Sequence, residues 1–478
     1  MSVGAFLGEG ISALWRERFY DHARLQRLQQ RRLSALVRHA ADGAPLYRAL
    51  YAGVDPDRFV LDQLPTISKE LLLERFTDSV VGDRVPLDEA QRYAAEKRDA
   101  RGLFRDRYLL ATTSGTTGQV GYFLFDRQGW ARQLGLLFAR LLRERLAPRH
   151  LFRFFPWRRF RMAFLVATGG PYITYLVSGF DSAALQLVAK ISAFSISEVL
   201  AQTVAALNAF QPHFVHGYAT FVEALAHEQR AGALAICPEI ISLGSEPLTP
   251  LGRRTIEAAF PDVCLREGYG ATECVALACG CRAGQLHVNI DACVLEPVDR
   301  AGLPVPPGEL SDHAYLTNLL GYAQPLIRYR LADQIRVLEG PCACGSPLPA
   351  IEVAGRSDDT FYLRDPAGAT SAHPPIPFEL LFLEVPGIKQ YQLVHSRQNQ
   401  LSVRFIPDRE GREQEITAHL GQAFGDYLRR HGLERCVEVS VDAVPHLERD
   451  ARSQKLRQIV SEVPAPSLEL PGADGEGA

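Results

Sequence analysis

Leucine and valine recur at helical spacing at Leu25, Leu28, Leu33, Leu36 and Val37, among Arg, Gln and His. That period predicts helices across residues 12–50, with an apolar stripe beneath an arginine-rich solvated face. After Ala44-Pro45-Leu46-Tyr47-Arg48, a short segment ends in Leu64-Pro65-Thr66-Ile67-Ser68-Lys69-Glu70, where Ser68 can cap a helix that begins at Lys69. From Tyr108 the pattern becomes strand (108–112), Gly/Ser/Thr-rich loop (113–121) and strand again (122–125). Amphipathic helices are predicted over 128–146, 183–209 and 219–231. The short apolar runs Phe214-Val215-His216, Ile240-Ile241-Ser242-Leu243 and Val263-Cys264-Leu265 read as buried parallel strands, each followed by a glycine-containing turn.

Strand alternating with helix places the larger part of the chain in the layered α/β class. From His287 to Val337 the pattern turns β-rich, with turns at Leu303-Pro304-Val305-Pro306-Pro307-Gly308. After Gly355-Arg356-Ser357-Asp358-Asp359 a smaller α+β unit is predicted: helix 377–384, strands 389–395 and 400–406, helix 411–431 and strand 437–442. The chain therefore divides into a domain over 1–355, a second over 356–463, and a Pro/Gly/Glu/Ala-rich tail over 464–478 that reads as disordered.

Composition narrows the function. With 52 basic against 55 acidic residues among 478, a formal charge of −3 leaves no basic field that would suit nucleic acid or an anionic membrane. The aromatic and arginine-rich stretch Arg149 to Arg161 reads as core aromatics with solvated arginines. The first residues lack a basic cluster leading into an apolar core, so a cytoplasmic enzyme is expected. Met162 to Phe180 is apolar but broken by Gly169-Gly170-Pro171, which predicts buried strands and a turn rather than a span. Nine cysteines, an odd number, argue against a disulfide framework. Lysine occurs only at Lys69, Lys97, Lys190, Lys389 and Lys455, so each lysine in a suggestive context gains weight.

Four segments carry candidate chemistry. Thr112-Thr113-Ser114-Gly115-Thr116-Thr117-Gly118 concentrates hydroxyls and flexible backbone able to wrap phosphate oxygens, without the Gly-Lys-Ser/Thr ending of a Walker loop. Gly244-Ser245-Glu246-Pro247 and Gly268-Tyr269-Gly270-Ala271-Thr272-Glu273 follow successive strands, where small residues and an aromatic suit a flat ligand beside a sheet. Asp333 closes the run Pro325 to Asp333, placed to accept from a ribose diol. Tyr122, His216, Gly217 and Tyr218, at strand ends, are candidates for an acyl pocket, although His216 reads equally well as a satisfied core histidine.

In this order the segments resemble the adenylate-forming superfamily, and within it the phenylacetate-CoA ligase-like and coenzyme F390 synthetase-like branch. The likeness runs from Leu33 to Lys455. It implies a large N-terminal adenylation domain of layered sheets and helices and a small mobile α+β C-terminal domain hinged at Asp358. It implies that Ser114, Gly115, Thr116, Thr117 and Gly118 hold pyrophosphate and that Glu273 ligates Mg²⁺. Thr272 is implied to bond the α-phosphate, Gly244 to Pro247 with Gly268, Tyr269 and Gly270 to flank adenine, and Asp333 and Arg356 to hold ribose or phosphate. Lys455 matches the family's late lysine, which bridges the carboxylate and the α-phosphate. The implied activity is ATP-dependent activation of an aromatic or cyclic carboxylic acid and its transfer to CoA; a homodimer is compatible with it.

Two departures bear on that implication. Ala332 and Gln454 stand where the family commonly has glycine, and the glycine-containing loop after the hinge is replaced by Arg364 to Pro374. An amine, a carrier-protein thiol or a phenolic cofactor that keeps AMP are therefore alternative acceptors, and a nucleotide-binding protein without turnover is the competing class. Separately, Cys281, His287, Cys342 and Cys344 have the composition of a closed structural zinc site, with Cys279 the rival first ligand. A similar set occurs in the branch.

Overall fold

The computed structural model describes residues 2–463 except 56–57, 97–100, 114–119, 144–158, 169, 180–182, 197, 246–247, 249, 300, 355–360, 374, 408 and 448–458. Two compact units result, one before and one after residues 355–360. In the first, helix α1 (Val3–Phe19) and helix α2 (His22–Gly43) start on side-chain caps: Ser2 accepts from the Ala5 amide and Asp21 from the Arg24 amide. The hairpin β1 (Tyr108–Thr112) and β2 (Tyr122–Asp126) precedes a long buried helix, Arg127–Leu142, whose first amides bond to the Asp126 carboxylate.

A nine-stranded sheet forms the floor of this unit. Its parallel half runs in the order β4 (Ala189–Ser195), β3 (Phe160–Val166), β5 (Phe214–Gly217), β6 (Ile240–Leu243), β7 (Cys264–Ala271). β5, β6 and the start of β7 are the short apolar runs of the sequence, and they are largely buried. At β7 the pairing turns antiparallel, continuing through β8 (Cys274–Gly280), β9 (Leu286–Val288), β14 (Ala350–Ala354) and β13 (Gln334–Val337). A smaller sheet of β10 (Cys293–Val298), β11 (His313–Asn318) and β12 (Tyr329–Leu331) completes the β-rich segment.

Two expectations are corrected. Residues 183–209 are not one helix: a short helix, Ala183–Val188, gives way to β4, and the helix resumes at Leu200–Phe210. β4 pairs with β3 over seven residues, Phe160↔Ala189 through Val166↔Ser195, so an open sheet edge overrides the local helical preference. The 162–180 stretch contains the end of β3 and a short helix, Ile173–Ser178. Among the described residues no helix is long and apolar enough to cross a membrane.

Helix α1 lies on the helix Arg127–Leu142 with backbone nearly touching backbone. A Cβ on Gly10 would come within 2.9 Å of the Gly135 carbonyl, and one on Gly135 would collide with the Phe6 carbonyl. A buried ionic cluster sits alongside. Asp291 accepts from Arg140 Nη1 and Nη2 at 2.8 and 2.9 Å and from Arg16 Nε at 2.7 Å, while Glu9 pairs with Arg16 and Arg32. Arg140 also donates to Asn289 Oδ1 at 2.6 Å.

The second unit holds the hairpin β15 (Phe361–Arg364) and β16 (Thr370–His373) and a four-stranded sheet in the order β19 (Glu438–Ala443), β18 (Gln400–Pro407), β17 (Ile388–Arg397), β20 (Ile459–Ser461). Helices Pro375–Glu384 and Glu413–Arg430 belong to it, and its own core gathers Phe361, Phe378, Leu393, Phe405, Leu420 and Phe424.

Candidate active site and metal centre

The turn between β7 and β8 carries Thr272 and Glu273. Gly270 permits it, since a Cβ there would lie 2.6 Å from the Val275 carbonyl. Glu273 is buried, its own carbonyl accepts from Asn318 Nδ2 at 2.9 Å, and Tyr329 hydrogen-bonds its carboxylate. Burial is the chief reason that its pKa is pushed up to about 7, with the Asp333 carboxylate adding to the rise and Lys69 opposing it. Four elements therefore meet here. Asp333, in the turn between β12 and β13, accepts from Tyr269 Oη of β7 at 2.8 Å. Lys69 arrives because Ile67 is stitched to β12: its amide donates to the Arg328 carbonyl at 3.0 Å and its carbonyl accepts from the Arg330 amide at 2.9 Å. Ser68 caps the helix Lys69–Glu74, accepting from the Leu71 amide at 3.2 Å.

Beside this turn, at the C-terminal ends of β5 to β7, lies a cavity of about 60 Å³. Crevices at this end of parallel strands are the usual ligand sites of open α/β sheets. Phe138, Phe164, Phe214, Leu137 and Val177 make its apolar wall, while Gly244, Ser245, Gly268 and Gly270 line the side towards the Glu273 turn. Ser245 holds a left-handed backbone, φ 68°, uncommon for a residue with a side chain and often found at functional turns.

The cysteine set assembles where the β8–β9 turn meets the β13–β14 connection. The ligand atoms of Cys281, His287, Cys342 and Cys344 lie within 4.8 Å of one another. Cys281 Sγ and Cys342 Sγ are 3.6 Å apart and Cys344 Sγ is 3.3 Å from His287 Nε2. Tetrahedral bonds of about 2.3 Å would set thiolates about 3.8 Å apart, so the donor set fits zinc. His287 Nδ1 donates to the Leu348 carbonyl at 2.8 Å, which leaves Nε2 for a metal. Cys279 lies elsewhere: its sulfur accepts from Asn289 Nδ2 at 3.7 Å in the core, where burial pushes its thiol up to about 11.

No family model matches the chain. It is 27% identical over 363 residues to the phenylacetate-coenzyme A ligase of Escherichia coli (strain K12), covering 71% of this chain and 73% of that one. The phenylacetate-coenzyme A ligase of Pseudomonas putida is 28% identical over 368 residues, covering 71% and 72%. In fold, the chain matches a crystal structure of 2-hydroxyisobutyryl-CoA ligase in complex with 2-HIB-AMP and CoA, with a TM-score of 0.58 at 20% identity over 93% of this chain and 91% of that one. The chain is similar to phenylacetate-coenzyme A ligases over most of its length and shares the fold of 2-hydroxyisobutyryl-CoA ligase.

Within this ligase-like fold, the structure brings Thr272, Glu273, Tyr269 and Asp333 to one place, with Gly244, Ser245, Gly268 and Gly270 at the adjoining cavity. Of the four residues expected around an acyl group, His216 lines the cavity. Tyr218 Oη stands 3.1 Å from Thr174 Oγ1, a lining residue, and Gly217 packs against Leu165 and Val222. Tyr122 packs on the cluster formed by Phe76, Phe104 and Leu124. Ser114, Gly115, Thr116, Thr117, Gly118, Glu246, Pro247, Arg356, Asp358 and Lys455 lie outside the described residues. Sequence reasoning passed over Lys69 and Tyr329. The rarity of lysine and the Ser68 cap were the available signals for Lys69, whereas Tyr329 lay inside the run read only for Asp333.

Proposed function

We propose that the chain is an ATP-dependent, AMP-forming ligase that converts a carboxylic acid to its acyl-adenylate and passes the acyl group to CoA. The observation that carries this reading is the juxtaposition of an uncharged apolar cavity with the turn holding Glu273, beside the Tyr269–Asp333 pair. In the first half-reaction a carboxylate oxygen bonds the α-phosphorus of ATP and pyrophosphate leaves. In the second, the CoA sulfur bonds the acyl carbon, its proton passes to solvent and AMP leaves. Charge accumulates on the α-phosphate during the first step, so cationic and hydrogen-bonding groups aimed there lower the barrier. Thr272 is assigned to the α-phosphate, Asp333 to the ribose and Lys455 to the bridge between carboxylate and phosphate, where a compact ammonium on a flexible stem suits both partners. Mg²⁺, held by Glu273, would neutralise phosphate charge. The wall of Phe138, Phe164 and Phe214 supports a compact uncharged acyl group.

Pyrophosphate release from Mg·ATP across aryl, cyclic and aliphatic acids, with and without CoA, tests this reading. Release that depends on one acid, gives a CoA thioester by mass spectrometry and falls at least about 100-fold in Lys455→Ala is the expected result. ATP binding without acid-dependent release would instead identify a nucleotide-binding relative. Adenylate formation that CoA does not discharge would point to another acceptor, the reading favoured by the altered loop Arg364 to Pro374.

Cys281, His287, Cys342 and Cys344 are assigned to a structural Zn²⁺. Elemental analysis should find one zinc per chain, reduced in Cys342→Ser, and chelation should lower the melting temperature of the wild type but leave that variant unmoved.

A further inference from the structure

His216 and Ser242 stand among the polar lining residues of the cavity, together with Thr174 and Ser245. His216 on β5 and Ser242 on β6 are register partners, so their side chains leave the same face of the sheet, and both line the cavity. His216 Nδ1 lies 3.2 Å from Ser242 Oγ, within hydrogen-bond distance. The Ser242 hydroxyl oxygen can accept from Nδ1–H, and in that tautomer the hydrogen resides on Nδ1. Burial against the Phe164 ring, 5.6 Å away, favours the uncharged imidazole and holds its pKa down to about 4. A neutral imidazole with hydrogen on Nδ1 has a bare lone pair on Nε2.

That lone pair is at the open side of the ring. The nearest atoms to an imagined Cβ on Gly244 include His216 Cε1 at 3.3 Å and Nε2 at 3.8 Å, so any side chain at position 244 would cover this edge and glycine leaves it exposed. Among the described lining residues none is charged. In that tautomer the cavity presents a partly buried acceptor on a largely apolar wall. A buried acceptor left without a donor costs about 1–3 kcal/mol, which a bound acid avoids only by supplying one.

Resting on the ligase reading above, we propose that His216, oriented by Ser242, selects a carboxylic acid whose otherwise apolar, uncharged acyl group carries a hydroxyl that donates to His216 Nε2. Ser242 is a positioning residue in this scheme. A hydroxyl fits the site better than an amine, because an ammonium would bring an unpaired charge into an uncharged cavity. About 60 Å³, room for roughly four to six water-sized spheres, favours a compact acid.

The test uses the full chain and hydroxyl-for-methyl pairs: lactic against isobutyric acid, mandelic against hydratropic acid, and para-hydroxyphenylacetic against para-tolylacetic acid. Binding of each acid is measured by calorimetry, which needs no turnover, and kcat/KM by pyrophosphate release. The hydroxylated member of at least one pair should bind at least about tenfold more tightly, with the same preference in kcat/KM. In His216→Leu the ratio should fall to within about twofold of unity. Ser242→Ala should lower it partly and Ser242→Thr restore it, with thermal melts confirming that each variant is folded.

Equal binding within every pair overturns the proposal, as does a preference that survives in His216→Leu and Ser242→Ala. Failure of every hydroxylated acid to bind overturns it too. A His216-dependent binding preference without pyrophosphate release would uphold the pocket's selectivity and remove the ligase reading.

Discussion

Asp291 has two guanidinium partners and no solvent, and the arginines Arg140 and Arg16 hold its carboxyl well below the usual carboxylate range. Removing one member of such a buried cluster leaves the others charged and unpaired. Asp291→Ala should therefore cost about 3–5 kcal/mol in urea unfolding of the first unit. Loss of the exposed pair Arg92–Asp88 should change the same measurement by less than about 1 kcal/mol. Sequence reading took the arginines of the first fifty residues for a solvated face, yet Arg16 is buried and Arg32 reaches Glu9 and the Asp291 carbonyl. Glu9 is near both arginines in sequence, but the Asp291 groups that complete their burial lie more than 250 residues away, beyond any local pattern.

Between elements, the closest packing is that of α1 on the helix Arg127–Leu142, where Gly10 and Gly135 let the backbones meet. Gly135→Ala would drive a methyl into the Phe6 carbonyl, and the helices would have to separate. We expect a loss of about 2–3 kcal/mol, read as a lowered melting temperature, whereas alanine at Gly4 or Gly8, where a Cβ meets open space, should be neutral or mildly stabilising. The parallel strands around the cavity were legible because each is a short apolar run closed by glycine. β4 was not, since Ala189 to Ser195 acquires its strand character only from the edge of β3. The Cys/His cluster was half legible: composition named its four members, but choosing Cys281 over Cys279 required knowing which way each sulfur faces.

At the scale of a whole unit, buried histidines couple the stability of the second unit to acid. The second buries His373, His395 and His431, with burial the leading cause of depression to about 3 for the first and about 4 for the others. Their partners are neutral: His373 bonds Tyr427 Oη and Ser371 Oγ at 2.8 Å, and His395 faces Ser461 Oγ at 3.1 Å. Each stays uncharged when folded and takes up a proton below about pH 6.5 when unfolded, so its contribution is complete above pH 6.5 and declines as pH falls towards 4. Hydrogen exchange of β17 and β18 amides, normalised for intrinsic rates, should report constant stability from pH 8 to 6.5 and a progressive loss below it. A His431→Asn variant should show a shallower decline.

The ionic cluster around Asp291 also constrains the order in which a growing polypeptide can settle. Arg140 and Asp291 are 151 residues apart, so at about 5–20 residues per second the ribosome needs roughly 8–30 seconds to deliver the carboxylate after the guanidinium has been made. Throughout that interval Arg16 and Arg140 have Glu9 and Glu17 of α1 as partners but lack the buried Asp291 carboxylate that binds both. The nascent N-terminal half must therefore keep this face open to water, or guarded by a chaperone, until the β8–β10 segment emerges to neutralise it.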